Sequence, residues 1–211
     1  MTIGKGVAWG REVERPADLV VARDDADLAA RLQRQRADAT RAPVAVRSGD
    51  LARTLGSAPV DGRPTLNELP IDMVTVRLGD VEAPDRSVPA CAHVVICSPW
   101  WRGGWLRGRA VVVMNAEFIG HWDVAPRGHP NDGRVEVFEV DPRFGIRQRL
   151  AARRRARTAT HVPHPLITTR SVRAADWSFE SPMAVLADGV RVGVAREVAI
   201  AVVADAAVVY A

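Results

Sequence analysis

The sequence predicts an α+β protein in which a short α/β unit precedes a predominantly antiparallel β-sandwich domain. Up to Gly56, brief apolar runs alternate with stretches of helical period. Beyond it, short apolar runs broken by turn residues follow one another at close spacing. The composition agrees: 211 residues with 47% apolar and 26% charged side chains describe a globular chain able to bury a core. A wholly disordered, collagen-like or coiled-coil chain is thereby excluded.

The elements follow in order. Leu19 to Arg23 reads as a strand, and Asp24 or Asp25 caps a helix running to about Arg36, with Leu28 and Leu32 a turn apart on its inner face. Val44 to Val46 is a second strand. Arg47-Ser48-Gly49 then leads to Asp50, placed to cap a short helix Leu51 to Leu55 that Gly56 ends. The boundary is expected between Ser57 and Pro70, giving an α/β unit over 1–58 and a sandwich domain over 59–211 whose last strands are free to return to the first unit. Strands are expected at Ile71 to Leu78, His93 to Ser98, Ala110 to Asn115, Arg134 to Val140, Pro165 to Arg173, Met183 to Ala187, Val190 to Val194, Glu197 to Val203 and Ala207 to Tyr210. The polar, proline-containing stretch Asp80 to Pro89 reads as a surface loop. Arg143 to Arg157 interrupts the strands as a helix with seven arginines and no acid.

Charge and cysteine content narrow the function classes. The net charge is +4, and all but one of the 29 basic residues are arginine, the better bidentate partner for phosphate. An Ala-, Arg-, Val- and Gly-heavy composition is equally what GC-rich coding produces. No apolar run approaches the ~20 residues of a membrane span, and Met1 to Gly10 lacks the order of a signal peptide, so a cytoplasmic location is expected, with peripheral contact at a membrane. Cys91 and Cys97 are expected as reduced thiols. With His93 they share one face of an extended stretch, but Cys91 and Cys97 are too far apart along a single strand for one zinc ion, and packing is the expected role.

Several short motifs occur in a telling order. Arg47-Ser48-Gly49-Asp50-Leu51-Ala52-Arg53-Thr54-Leu55-Gly56 resembles the Gly-Thr-x-Asn-Asp-Leu-Ala-Arg-x-Leu-Gly signature of the diacylglycerol kinase, sphingosine kinase and bacterial lipid kinase superfamily. Met114-Asn115, Ala125-Pro126 and Asn131-Asp132-Gly133 before a strand resemble that family's second domain, and a helix, His161, paired strands and Ala187-Asp188-Gly189 follow in family order. The resemblance implies a nucleotide domain followed by a lipid-binding β-sandwich domain. It also implies transfer of the γ-phosphoryl of ATP to a lipid hydroxyl with Mg²⁺.

Matched residue by residue, the resemblance makes Asp188 the candidate catalytic base, Gly49 and Asp50 candidate nucleotide-binding residues, and Asp132 a candidate metal ligand. The three aspartates each also have a structural reading: Asp50 as a helix cap, and Asp188 and Asp132 as residues of tight Asp-Gly turns. Departures are clear. No Gly-Gly-Asp-Gly-Thr loop precedes Asp50; Asp24-Asp25 stands after the strand in the corresponding place, without glycines. The glycine-rich Gly4-Lys5-Gly6 has no strand before it, and Asp61 to Glu68 lies on the wrong side of Asp50. Gly49 replaces an asparagine, and Val190 replaces a glutamate. The expected protein is therefore a divergent, N-terminally shortened member, a catalytically impaired pseudoenzyme with degenerate ATP binding. The alternatives are an active ATP- and Mg²⁺-dependent lipid phosphotransferase and a structural or membrane-binding module.

Two stretches suit a lipid surface. Ser98 to Trp105 places Trp100, Trp101 and Trp105 beside Arg102, and the arginine helix offers Arg153, Arg154 and Arg155 to anionic headgroups. The expected partners are a lipid or an anionic membrane surface, with a second copy of the chain as a homodimer candidate. The basic stretch lacks interleaved aromatics, so nucleic acid is not expected.

Overall fold

A computed structural model describes residues 8–56, 60–80 and 83–211. The Gly4-Lys5-Gly6 segment lies outside the described residues. The first part of the chain forms β1 (Arg11–Glu14), β2 (Val20–Ala22), α1 (Asp25–Ala37), β3 (Val44–Val46) and α2 (Asp50–Thr54). Asp24 caps α1, its carboxylate accepting from the Asp27 N–H at 2.9 Å, and Leu28, Ala29 and Leu32 give the helix its buried side. Gly56, at φ 64°, supplies the left-handed residue after α2.

The rest forms β4 (Thr65–Asp80), β5 (Ala83–Ala90), β6 (His93–Cys97), β7 (Ala110–Met114), the small hairpin β8 (Phe118–Ile119) and β9 (Trp122–Asp123), and β10 (Val135–Val140). After these come α3 (Ile146–Arg155), β11 (Ile167–Val172), β12 (Ala174–Ala187) and β13 (Val190–Tyr210). Among the described residues the main sheet runs β1-β4-β13-β12-β6-β7-β10-β11, with β5 on β4. β2 and β3 are parallel, and β3 joins the end of β13 where Tyr210 lies beside Ala45. The protein is an α+β molecule dominated by antiparallel sheet.

Period-2 patterning places the core. Val94, Ile96, Val111, Val113, Val135 and Val137 turn inward against Val74, Val76, Val185, Val198 and Ile200. Full burial of each such side chain stabilises the fold by roughly 1.5–3 kcal/mol. A second cluster packs Leu28, Leu32, Val44, Val46 and Leu51 against Ile71, Met73 and Val209, so the helices rest on the ends of the long strands.

Three expectations need correction. Asp80 to Pro89 is not a surface loop, because Ala83–Ala90 forms β5, with Val88 opposite Val76 and Ala90 opposite Val74. Its prolines signal a turn in sequence, yet β5 pairs with β4 alone, and an edge strand tolerates residues that lack an N–H. β12 starts at Ala174, nine residues before the expected Met183. The separate strands expected over Val190 to Tyr210 are one strand, β13, with an irregularity between Val203 and Ala207 where Asp205 has φ 50°. The buried Asp72 carboxylate secures that irregularity, accepting from the N–H of Asp205 at 2.8 Å and of Gly133 at 2.6 Å.

Candidate functional site

α1 and α2 begin at the carboxyl ends of the parallel strands β2 and β3, where α/β sheets open their ligand crevices. The Asp188-Gly189 turn between β12 and β13 and the corner Cys91-Ala92-His93 reach the same place. Asp25, the first residue of α1, is buried and accepts from the N–H of Asp50 at 2.5 Å and of Leu51 at 3.3 Å. The N-terminus of α2, the part of such a fold best suited to an anion, is thus satisfied by the protein's own carboxylate. Asp50 is therefore not the cap expected from sequence. Gly49 holds the N-cap position at φ 132°, and a Cβ there would overlap the Asp25 carboxylate. Asp50 instead turns outward along α2, accepting from the Gly120 N–H at 2.6 Å, with its other oxygen 3.2 Å from His93 Nδ1.

Asp188, at φ 48°, folds its carboxylate onto the corner and accepts from the N–H groups of Cys91, Ala92 and His93 at 2.9, 2.8 and 3.0 Å. Asn115, buried beneath, donates to the carbonyls of Cys91 and Asp72 and braces the corner from below. Burial, together with repulsion from Asp188 and Asp50, pushes the Asp25 carboxyl up to about 7 against the pull of its N–H donors. Burial also raises Asp188, opposed by its three backbone donors. For His93 burial disfavours the cation, but Asp50 and the neighbouring carboxylates outweigh it and the imidazole is raised. Burial raises the Cys91 thiol well above the ordinary range, leaving it an unreactive packing group.

A second feature opens from His93. The strand faces turned away from the sandwich core line a cavity of about 430 Å³ with Val95, Val112, Phe138 and Ile167, roofed by α3, Trp105, Trp122 and His161. Its wall is overwhelmingly apolar and its size is that of a small-molecule site. His93 belongs to both features, facing Asp50 through Nδ1 and lining the cavity with its ring. The β8–β9 hairpin is tied to α2, the Arg53 guanidinium donating to the Gly120 carbonyl at 2.9 Å, which holds carboxylate corner and cavity side by side.

The sequence-predicted residues divide accordingly. Gly49, Asp50 and Asp188 come together. Asp132 belongs to a different neighbourhood, where its carboxylate accepts from the Arg134 N–H at 2.9 Å within its own turn and lies near Asp72. Trp100 and Trp101 are 80% and 57% exposed, and Arg153, Arg154 and Arg155 are exposed on α3, with the Arg153 guanidinium 4.2 Å from the Trp122 ring centre. Val190 is 53% exposed and does not fill the corner. Asp25, His93 and Asn115 were not read as site residues. The sequence signal for Asp25 was its place directly after a strand, where the resembled family has its Gly-Gly-Asp-Gly-Thr loop.

No family model matches the chain, and no curated protein matches it. Solved structures do. One, a provisionally named diacylglycerol kinase from Bacillus anthracis, is similar with a TM-score of 0.66 at 13% identity over 91% of this chain and 77% of that one. Another, named a diacylglycerol kinase from the same organism, gives a TM-score of 0.60 at 13% identity over 91% and 75%. The architecture is therefore the diacylglycerol kinase-like fold. At this identity the likeness establishes the fold alone.

Mg²⁺ and ATP are what the sequence resemblance implies, and the carboxylates of the corner are, as arranged, already bonded to the protein's own backbone. Both oxygens of Asp188 are committed to backbone donors, and Asp25 fills the α2 N-terminus. Among the described residues no group of three His, Cys, Asp or Glu side chains is placed to hold a metal ion. No described helix is long and apolar enough to cross a membrane.

Proposed function

We propose that this is a divergent lipid-kinase-like protein that binds an amphiphilic lipid and is impaired as a phosphotransferase. The observation that carries the reading is the juxtaposition at His93 of a formed apolar cavity and an acidic corner already satisfied by its own backbone. An acyl chain entering the cavity meets an almost wholly apolar wall. A polyphosphate entering the corner meets Asp25, Asp50 and Asp188 and must displace Asp25 from the N–H groups of α2. Asp188, three times bonded, acts in this reading as the clamp of its corner.

The exposed Trp100 and Trp101, with Arg153, Arg154 and Arg155 on the helix that roofs the cavity, supply a surface from which a membrane lipid is reached. The protein would then work peripherally at an anionic membrane. An active ATP-dependent kinase, with Asp188 as base, is favoured by one feature: burial raises the Asp188 carboxyl above the ordinary carboxylate range, in the direction a base requires.

Calorimetric titration with Mg-ATP separates the two. The expected result is no saturable heat from folded, lipid-loaded protein. Micromolar binding lost on removing magnesium would overturn impairment and restore the kinase.

A further inference from the structure

Among the polar groups lining the cavity, most are already engaged. The buried Arg149 donates from Nε to the Phe144 carbonyl at 2.7 Å, from Nη1 to the Trp105 carbonyl at 2.6 Å, and from Nη2 to the Gly108 carbonyl. Arg153 lies over the rings of Trp105 and Trp122. His93 Nδ1 lies 3.2 Å from the Asp50 carboxylate, although that nitrogen completes no hydrogen bond. His161 differs in that both of its ring nitrogens are open. It is 8% exposed, its ring is tilted on Phe138 with centres 5.9 Å apart, and neither ring nitrogen completes a hydrogen bond, although Asp123 and the Val124 backbone lie nearby. Buried imidazoles are ordinarily satisfied, and one left open on the wall of an apolar cavity is a place for a ligand atom.

We infer that His161 is a specificity-determining residue that hydrogen-bonds an oxygen of the bound lipid, so that the cavity selects a chain carrying a hydroxyl or carbonyl over a plain hydrocarbon. The inference rests on the lipid-binding reading above. A neutral imidazole offers one donor and one acceptor, which suits a hydroxyl through either nitrogen and a carbonyl through the protonated one. Burial favours that neutral form, because it lowers the proton affinity of His161. The remaining wall, from Val95, Val112, Phe138 and Ile167, supplies affinity without distinguishing one chain from another.

The test is displacement of the fluorescent hydrocarbon diphenylhexatriene from the full chain by dodecane, 1-dodecanol and methyl laurate, in wild type, His161→Leu and His161→Gln. In wild type both oxygen-bearing probes are expected to gain on dodecane, by about tenfold over their ratio in His161→Leu. His161→Gln, which still donates and accepts, restores most of that gain. Selectivity for dodecanol but not methyl laurate would identify a hydroxyl ligand, and equal selectivity a simple oxygen acceptor. Equal probe ratios in wild type and His161→Leu overturn the role of His161 and leave the lipid cavity standing. Failure of wild type to take up any probe overturns both readings. Because selectivity is first read in wild type, a variant that fails to fold does not shield the inference.

Discussion

At position 49 the chain can carry only glycine, for two separate reasons. The backbone sits at φ 132°, and the space where a Cβ would stand holds the Asp25 carboxylate. Gly49→Ala is expected to destabilise the protein by roughly 2 kcal/mol or more in urea unfolding, the scale of left-handed strain plus a displaced buried acid. Asp25 itself makes stability depend on pH. Its folded value of about 7 lies above the unfolded carboxylate value, so the native state holds the extra proton between about pH 4 and 7. Stability from this group therefore falls as pH rises through that window, by up to about 4 kcal/mol.

His93 works in the same direction. Its raised value gives stability that is full below the ordinary histidine range and lost as pH rises through the folded value. Thermal melting should accordingly be higher at pH 5.5 than at pH 8, and Asp25→Asn should flatten much of the difference; a melting temperature that rises with pH over this range would contradict the assignment. None of this was legible locally. Gly49-Asp50 reads as a cap-and-helix start, and the residue that performs the capping lies 25 positions away in sequence.

Elements were legible where patterning is local and obscure where an exception is set by neighbours. β3, β6 and β7 are found where apolar runs predict them, because each is buried along nearly its whole length, and β10 where Val135 and Val137 alternate with Glu136. β5 was hidden by prolines that only an edge position allows, and the extent of β13 by a break that Asp72 holds together. Asp72→Ala removes the acceptor for the N–H groups of Asp205 and Gly133 and is expected to cost roughly 3 kcal/mol in chemical denaturation. A cost under about 0.5 kcal/mol would show that β13 keeps its course without the carboxylate.

Within the arginine helix, Arg149 is buried and ties α3 to the tryptophan segment through the Trp105 carbonyl. Membrane contact by this pair of elements has its own test. Trp100→Ser with Trp101→Ser, or Arg154→Gln with Arg155→Gln, should each weaken sedimentation with phosphatidylglycerol vesicles at low salt. The arginine pair should lose about 1 kcal/mol per residue and the effect should fade at high salt. Unchanged sedimentation of both double variants would remove this surface from the account.

Across the whole molecule, the fold class was readable because the order of elements and turns carries it, whereas the cavity was not. Its walls come from β6 to β12, α3 and the segments between them, and β6, β7 and β10 each give it every second residue of a pattern whose other residues build the sandwich core. A strand buried on both faces gives no sign in sequence of which face meets protein and which meets a ligand. The same holds for the acidic corner, whose members at positions 25, 50, 93 and 188 meet only once β12 and β13 have folded back beside α1 and α2.

The central claim is that the space beside His93 holds a lipid, and retention of lipid by the folded chain tests it most directly. Delipidated protein would be incubated with diacylglycerol-containing vesicles, separated from them, and its bound lipid quantified by mass spectrometry, alongside a Val112→Trp variant that fills the cavity. The account predicts a single lipid retained per wild-type chain and little on the filled variant at matched melting temperature. Absence of retained lipid on folded wild type, or equal retention by both proteins, would contradict it.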